Sequence, residues 1–319
     1  MRAAQQVTIM PPHLQTSGDA IADRRADYAR MLDKGGEPDA AAELMEQALE
    51  LVPDWAVGWY QLATYREKSG NVAGAIEAYR RTRELTEDDI FGATLKLAFL
   101  GDIAVPDQPP SIYVERLFDD YAARFETSLV DKLGYDVPAK LARMIAATGR
   151  HYALAADLGC GTGLMGPQIR AMASRLEGFD LSQNMLAKAE EKQVYDHLAQ
   201  ADLSLPKEES GLFLDSGAHR ADLVTAADVL IYLGNLEIAF ASVAALCADG
   251  ADFGFSVEET EGEDGVHLAH SLRYAHSEDY IRSLCVRYGF EVIAMSRTTI
   301  RKDGANIIPG ILFLARKTA

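Results

Sequence analysis

The sequence predicts a doubly wound α/β sheet closed by an antiparallel hairpin and preceded by an all-α repeat domain. Three observations predict it. Alanine-marked segments repeat at a 34-residue spacing near the N-terminus, a proline-rich break follows, and strand–turn–helix units alternate from residue 152 onward. The chain has 319 residues, enough for two domains. An apolar fraction of 48% and a charged fraction of 25% exclude a mainly disordered or fibrous chain. Lys and Arg total 31 against 48 Asp and Glu, a net charge of −17, which disfavours nucleic acid and anionic lipid as partners. Cys160, Cys247 and Cys285 are too scattered for a disulfide framework or a metal knuckle and read as reduced thiols. The N-terminal MRAAQQVTIMPPHLQ lacks an apolar signal-peptide core, and no apolar run approaches the ~20 residues of a membrane span. A soluble, cytoplasmic protein without a membrane partner is the expectation.

In the repeat, Ala22 and Ala56 are equivalent starts, Ala29 aligns with Ala63, Ala41 with Ala75, and Met45 with Tyr79. The pattern resembles the tetratricopeptide repeat, in which small residues let two helices approach closely and larger ones fill the space beside them. Thr82 stands where one unit has Ala48, and Glu87 stands where that family usually has Pro. Two unrelated amphipathic hairpins are the alternative. Ile90 to Leu100 reads as a capping helix. Two repeats bury little, so the unit is expected to lean on the next domain or on another subunit, and its groove offers a place for a protein partner. The division expected is a flexible N-terminus over 1–20, repeats with their cap over 21–101, a linker over 102–110 (DIAVPDQPP), and a second domain over 111–319.

The second domain opens with helical periodicity that places Phe118, Tyr121 and Phe125 on one helix face, and Val137-Pro138 opens a further helix. YALAADLG is a strand ending at a glycine, and Gly163 to Ala173 reads as helix. LEGFD is a second strand, followed by a helix from Ser182 to Tyr195 with Ser182 as N-cap. HLAQADL, ADLVTAADV and ADFGFSV are further strands, with a helix from Leu236 to Cys247 between the last two. A helix from Ser277 to Tyr288 and two strands, FEVIAMSRTTI and GILFLARK, complete the chain, joined by RKDGANIIP as a loose hairpin loop. VEETEGEDG, with His267 and His270 nearby, reads as a solvated loop and not as a metal site. SLPKEESGLFLDSGAHR is a surface excursion with Phe213 tucked inward.

The chemistry concentrates in Asp157-Leu-Gly-Cys-Gly-Thr-Gly163. Glycines at a strand-to-helix turn admit backbone angles that a Cβ opposes, and they let a ligand approach the bare chain. Gly161, Gly163 and Gly166 also satisfy GxGxxG, so spacing alone leaves dinucleotide binding open. Two acids bear on the choice. Asp157 ends the first strand, where dinucleotide binders carry an apolar residue and where a buried carboxylate needs a partner. Asp180 ends the second, placed for two ribose hydroxyls in either cofactor class.

Over about residues 111 to 319 the sequence resembles the class I S-adenosylmethionine-dependent methyltransferases, whose sheet is Rossmann-like. DLGCGTG matches that family's acid-x-Gly-x-Gly-x-Gly motif in full. The resemblance implies cofactor contacts from Asp157, Gly159, Cys160, Gly161 and Gly163, with Asp180 on the ribose and Leu181 and Met185 beside the adenosine. It further implies Asp202 on the adenine amino group, a backbone amide at Leu203, and Ala227 and Asp228 near the methyl sulfonium. FDDYAARF resembles the lid helix of small-molecule members, which puts Phe118, Tyr121 and Phe125 over the cofactor, with Tyr232 from the fourth strand's exit on the substrate side. Tyr121 could favour a sulfonium through cation–π contact. Asp228 and His276 are the candidates for a general base, with a structural role as the alternative for each. Cys160 is read as a small residue filling a tight turn.

The function implied is methyl transfer from S-adenosylmethionine to a small-molecule, carrier-tethered or protein acceptor. The alternatives are an NAD(P)-dependent oxidoreductase and a repeat adaptor whose methyltransferase domain is inert.

Overall fold

The computed structural model describes residues 16–126, 134–213, 217–261, 265–303 and 306–318. The chain forms two compact units that divide between Tyr113 and Val114.

The first unit consists of α1 (Ala20–Gly35), α2 (Pro38–Leu49), α3 (Ala56–Lys68), α4 (Val72–Glu84) and the short α5 (Ala93–Phe99). The Asp19 carboxylate caps α1 by accepting from the N–H groups of Ile21 and Ala22, and Pro38 opens α2. Asn71 caps α4 by accepting from Gly74 N–H. Consecutive helices pack on one another. Ala22, Ala29, Ala41, Ala63 and Ala75 are fully buried at those contacts, with Met45, Tyr79 and Thr82 equally buried beside them. The expected cap helix is shorter than Ile90 to Leu100. Asp89 accepts from the N–H groups of Ala93 and Thr94, so the preceding residues form its cap rather than its first turn. Gly101 to Pro110 holds neither helix nor strand.

In the second unit, α6 (Ser111–Tyr121) passes at Tyr121 into a 3-10 turn, Ala122–Arg124. Phe118, Tyr121 and Phe125 therefore do not share one regular helix. α7 (Val137–Ala146) follows, and then β1 (Tyr152–Leu158), α8 (Gly166–Ile169), β2 (Ala173–Asp180), α9 (Gln183–Glu191), β3 (His197–Gln200), β4 (Ala221–Ala226), α10 (Glu237–Leu246) and β5 (Cys247–Glu259). The small strands β6 (Val266–Leu268) and β7 (Tyr274–His276), α11 (Glu278–Arg287), β8 (Phe290–Asp303) and β9 (Asn306–Lys317) complete the unit. β3, β2, β1, β4 and β5 run parallel in that order. β9 lies antiparallel to β5, and β8 antiparallel to β9. Strand order reverses between β1 and β4, the place where doubly wound sheets bind ligands beyond their carboxyl ends.

Both faces are covered. On one, Phe253 stacks on Phe255 with centroids 4.4 Å apart, Phe255 on Phe313 at 5.2 Å, and Phe240 of α10 meets the first two edge-on. On the other, Leu141, Ala142 and Ile145 of α7 pack with Leu223 and Leu314. Among the described residues, no helix is long and apolar enough to cross a membrane.

Three expectations are corrected. The stretch from Gly163 to Ala173 is helical only over Gly166–Ile169 and a 3-10 turn at Arg170–Met172, because glycine at positive φ occupies its start and β2 already begins at Ala173. The loop after β5 is not wholly solvated, since Val266–Leu268 pairs antiparallel with Tyr274–His276 and extends the end of β5. RKDGANIIP is mostly strand: β8 runs to Asp303 and β9 starts at Asn306, so Arg301 belongs to the sheet. Phe213 is half-buried against the core, as the surface excursion required, while Leu212 beside it is fully enclosed.

Candidate functional site

The glycine-rich turn leaves β1 at Gly159, whose φ is 61° and whose added Cβ would lie 2.3 Å from Val229 Cγ2. No other residue type fits both that angle and that space. At Gly161 (φ 56°) a Cβ would meet nothing within 4 Å, so the turn opens there onto free volume. The Gly163 N–H closes the turn on the Cys160 carbonyl at 2.8 Å. Cys160 is buried, which pushes its thiol well up and suits a packing residue more than a nucleophile.

Asp157 is 1% exposed. It accepts from Tyr195 Oη at 2.7 Å and Thr225 Oγ1 at 2.8 Å. Burial pushes its carboxyl up to about 6 against the pull of these donors. Asp180 accepts from Gly161 N–H at 2.8 Å and Ser182 N–H at 2.9 Å. Burial raises it to about 6 as well. The second acid thus braces the turn that follows the first. Ser182 caps α9 by accepting from Met185 N–H and donates to Asp119 Oδ1 of α6 at 2.5 Å. Asp119 ties α6 to the end of β2.

Leu181 is half-buried, but Met185 is fully buried. Met185 is core, which corrects its expected place as a wall of an adenosine site. Asp202 Oδ1 accepts from the N–H and Oγ of Ser204, and its own N–H donates to the Ser210 carbonyl at 2.8 Å, which fixes the turn after β3. Leu203 is 8% exposed.

The aromatic residues expected over the cofactor come together as one cluster. Phe118 meets Tyr232 edge-on at 4.9 Å and Phe125 at 6.4 Å, and Tyr121 meets Phe125 at 5.5 Å. Phe125, Leu164 and Ala227 pack on Tyr135, Val137 and Ile300, bringing the lid, the glycine turn and the exit of β4 to one place. Arg124 lies over the Tyr121 ring, 5.4 Å from its centroid, so one face of that ring already holds a cation.

The two candidate bases are corrected. Asp228 holds a left-handed φ of 59° and donates its N–H to Ser256 Oγ. Both of its carboxylate oxygens accept from Arg301 Nη1, at 2.8 and 2.7 Å. A carboxylate held this way is committed to an ion pair. Glu258, at the end of β5, pairs with Nη2 of the same Arg301. Burial opposes the Arg301 charge, and the two acids more than offset it. His276 is fully buried, with Nε2 3.0 Å from the carbonyls of Leu233 and Gly234 and an imidazole held down at about 4 by burial. It anchors β7 to the segment after β4.

Sequence reasoning missed Tyr195, Thr225, Asp119 and Arg301. Tyr195 and Thr225 carry no motif of their own, and Asp119 lies in FDDYAARF, where only the aromatic residues drew the resemblance. Arg301 was hidden because a charged, glycine-containing stretch reads as a loop, whereas the pairing of β8 with β9 is irregular between Thr299 and Arg301, and Arg301 is 2% exposed. A bulge of this kind re-aims a side chain.

Residues 156–253 match the family model of a methyltransferase domain. Among solved structures, the 4+2 cyclase SpnF is 17% identical with a TM-score of 0.53, over 67% of this chain and 98% of that one. An S-adenosylmethionine-dependent methyltransferase from Methanosarcina mazei is 15% identical with a TM-score of 0.44, over 55% and 97%. The N-methyltransferase NodS from Bradyrhizobium japonicum, solved with S-adenosyl-L-homocysteine, is 14% identical with a TM-score of 0.44, over 57% and 86%. No curated protein matches the sequence. The stretch from β1 into β5 is therefore similar to a methyltransferase domain.

Proposed function

We propose that this methyltransferase domain binds S-adenosylmethionine across the carboxyl ends of β1 and β2 and transfers its methyl group to an acceptor seated beyond β4 and β5. The observation that carries the reading is the open backbone at Gly161 facing Asp180, joined to the family match over the same segment. The match also favours methyl transfer over the nicotinamide alternative. A turn with room for a ligand, a carboxylate held by backbone N–H groups and a nearby buried acid fit a ribose and a cationic amino-acid tail.

The bound cofactor would supply a methyl already activated by positive sulfur, to be displaced in line by the acceptor. The chain's residues bind, align and exclude water. Asp180 would accept from the ribose hydroxyls, with Leu181 and Leu203 as neighbours of the base and Asp202 on its amino group. Gly159, Gly161 and Gly163 would let the backbone approach. Phe118, Phe125 and Tyr232 would close over the reacting atoms. We assign no general base, because Asp228 is ion-paired and His276 is buried.

The reading extends to the first unit, whose two helical hairpins with buried alanines fit tetratricopeptide repeats over 21–101. A small acceptor suits the aromatic cluster, and the repeats offer a surface for a carrier or protein partner. Calorimetry with S-adenosylhomocysteine and with NADPH tests the cofactor: heat from the first only supports the reading, and heat from the second only overturns it. Label transfer from methyl-labelled cofactor into cell extract then separates soluble from protein acceptors.

A further inference from the structure

One cation at the exit of β4 and β5 is not accounted for by the framework. Arg273 stands at the start of β7, after Leu272, whose φ is 59°. A leucine in the left-handed region is a strained residue that the surrounding turn must hold in place. That turn is closed by Leu272 N–H to the Ala269 carbonyl and Ala269 N–H to the Arg273 carbonyl, both at 2.9 Å. His276 fixes the same hairpin to Leu233 and Gly234. The hairpin is therefore a rigid mount for the arginine.

Its guanidinium is oriented from one side only. Arg273 Nε donates to Tyr232 Oη at 3.3 Å, with the guanidinium carbon 5.8 Å from the Tyr232 ring centroid. The opposite contact of Tyr232 is Phe118 of the lid. Among the described residues, no carboxylate lies within ion-pair distance of Arg273, and Nη1 and Nη2 have no hydrogen-bond acceptor. Arg301, its neighbour in charge, is engaged by both Asp228 and Glu258. Nη1 and Nη2 are not enclosed, so an acceptor that meets them would take the place of water.

From this arrangement we propose that Arg273 is a specificity-determining residue and that the methyl acceptor carries a carboxylate on an aromatic or apolar frame, held end-on by Nη1 and Nη2. The inference rests on the methyl-transfer reading and names the acceptor's class. A planar fork with its Nε edge occupied presents two parallel donors, the geometry that a carboxylate meets. Charge favours a monoanion. Asp228 and Glu258 already offset Arg301 and Arg273 in formal charge, so one negative charge on Arg273 is the most the site takes, whereas a phosphate dianion would crowd two acids. The rings of Phe118 and Tyr232 supply the wall for the acceptor's apolar part.

The test uses the full chain saturated with S-adenosylhomocysteine and titrates acetate, phenylacetate and indole-3-acetate, each against its own amide. The expected result is that at least one acid binds about tenfold more tightly than its amide. Arg273→Gln should bring that acid down to the amide's affinity while S-adenosylhomocysteine binds as before, and Arg273→Lys should restore part of the difference. Should the Gln variant fail to fold, Tyr232→Phe, which keeps the ring and removes the hydroxyl that orients Nε, should lower the acid's affinity and leave the amide's unchanged. Acids and amides that bind alike, or an acid preference that survives Arg273→Gln, would overturn the proposal. A chain that binds no S-adenosylhomocysteine would instead break the methyl-transfer reading on which the proposal stands.

Discussion

Four acids stand at the carboxyl end of one sheet, and the two pairs are held in opposite ways. At β1 and β2, Asp157 and Asp180 accept from hydroxyls and backbone N–H groups. At β4 and β5, Asp228 and Glu258 share the guanidinium of Arg301. Neutral donors orient a carboxylate without cancelling its charge, so the first pair keeps a negative field for a ligand. The second pair has committed its charge to the framework, and the cation left over is Arg273. One edge therefore presents a negative half and a half whose two acids and two arginines balance, with Arg273 outside the ion pairs.

The sharpest way to break this comparison is to remove the shared cation. Arg301→Met should leave two buried acids uncompensated and lower unfolding free energy by about 3–5 kcal/mol, read by denaturant titration. Adding Asp228→Asn and Glu258→Gln to that variant should recover much of the loss. A loss below ~1 kcal/mol would show that the β4 and β5 acids are solvated after all.

On the other half, Asp180→Ala should weaken S-adenosylhomocysteine binding by ~1–3 kcal/mol in calorimetry, with folding retained. Unchanged affinity would remove Asp180 from the site.

The same half should respond to pH in two opposed senses. Asp157 and Asp180 lie at about 6 in the folded chain, against about 4 for an unfolded carboxyl. Between those values the folded state holds protons that the unfolded state has released, so stability falls as pH rises from about 4 to about 6 and is level above. Cofactor affinity should move the other way, falling by up to about tenfold for each pH unit below about 6, since an ionised acid accepts hydrogen bonds better than a protonated one. Parallel denaturation and calorimetry series would separate the two, and affinity flat through this range would count against ionised acids in the site.

The smallest expected effect comes from Tyr195→Phe, which deletes one donor to Asp157 and the acceptor of the Gly166 N–H. A loss of about 1 kcal/mol in thermal or denaturant unfolding is expected, with no change at the β4 side.

Legibility in the sequence followed chain distance. The glycine turn, Asp157, Asp180 and the Ser182 cap lie within one βαβ unit, and their local spacing carried enough signal to place all of them on the right elements. The parallel sheet followed from alternation, and the closing antiparallel pair from the family resemblance. What escaped were partners supplied from afar. Arg301 lies 73 residues from Asp228, and Thr225 lies 68 from Asp157. Met185 and His276 failed for another reason: their positions beside a motif or a helix start suggested access, whereas packing decided burial. The β6–β7 hairpin was missed because its three-residue strands are too short to show a period.

Asp228 must satisfy a left-handed backbone and a guanidinium at once. Glycine and asparagine tolerate that angle without supplying the charge, and glutamate supplies the charge on a side chain less suited to the angle. A saturation library at this codon should therefore collapse to a single permitted letter, while the library at Arg273, which bears on the acceptor and not on folding, should stay broad in abundance and narrow only under selection for turnover.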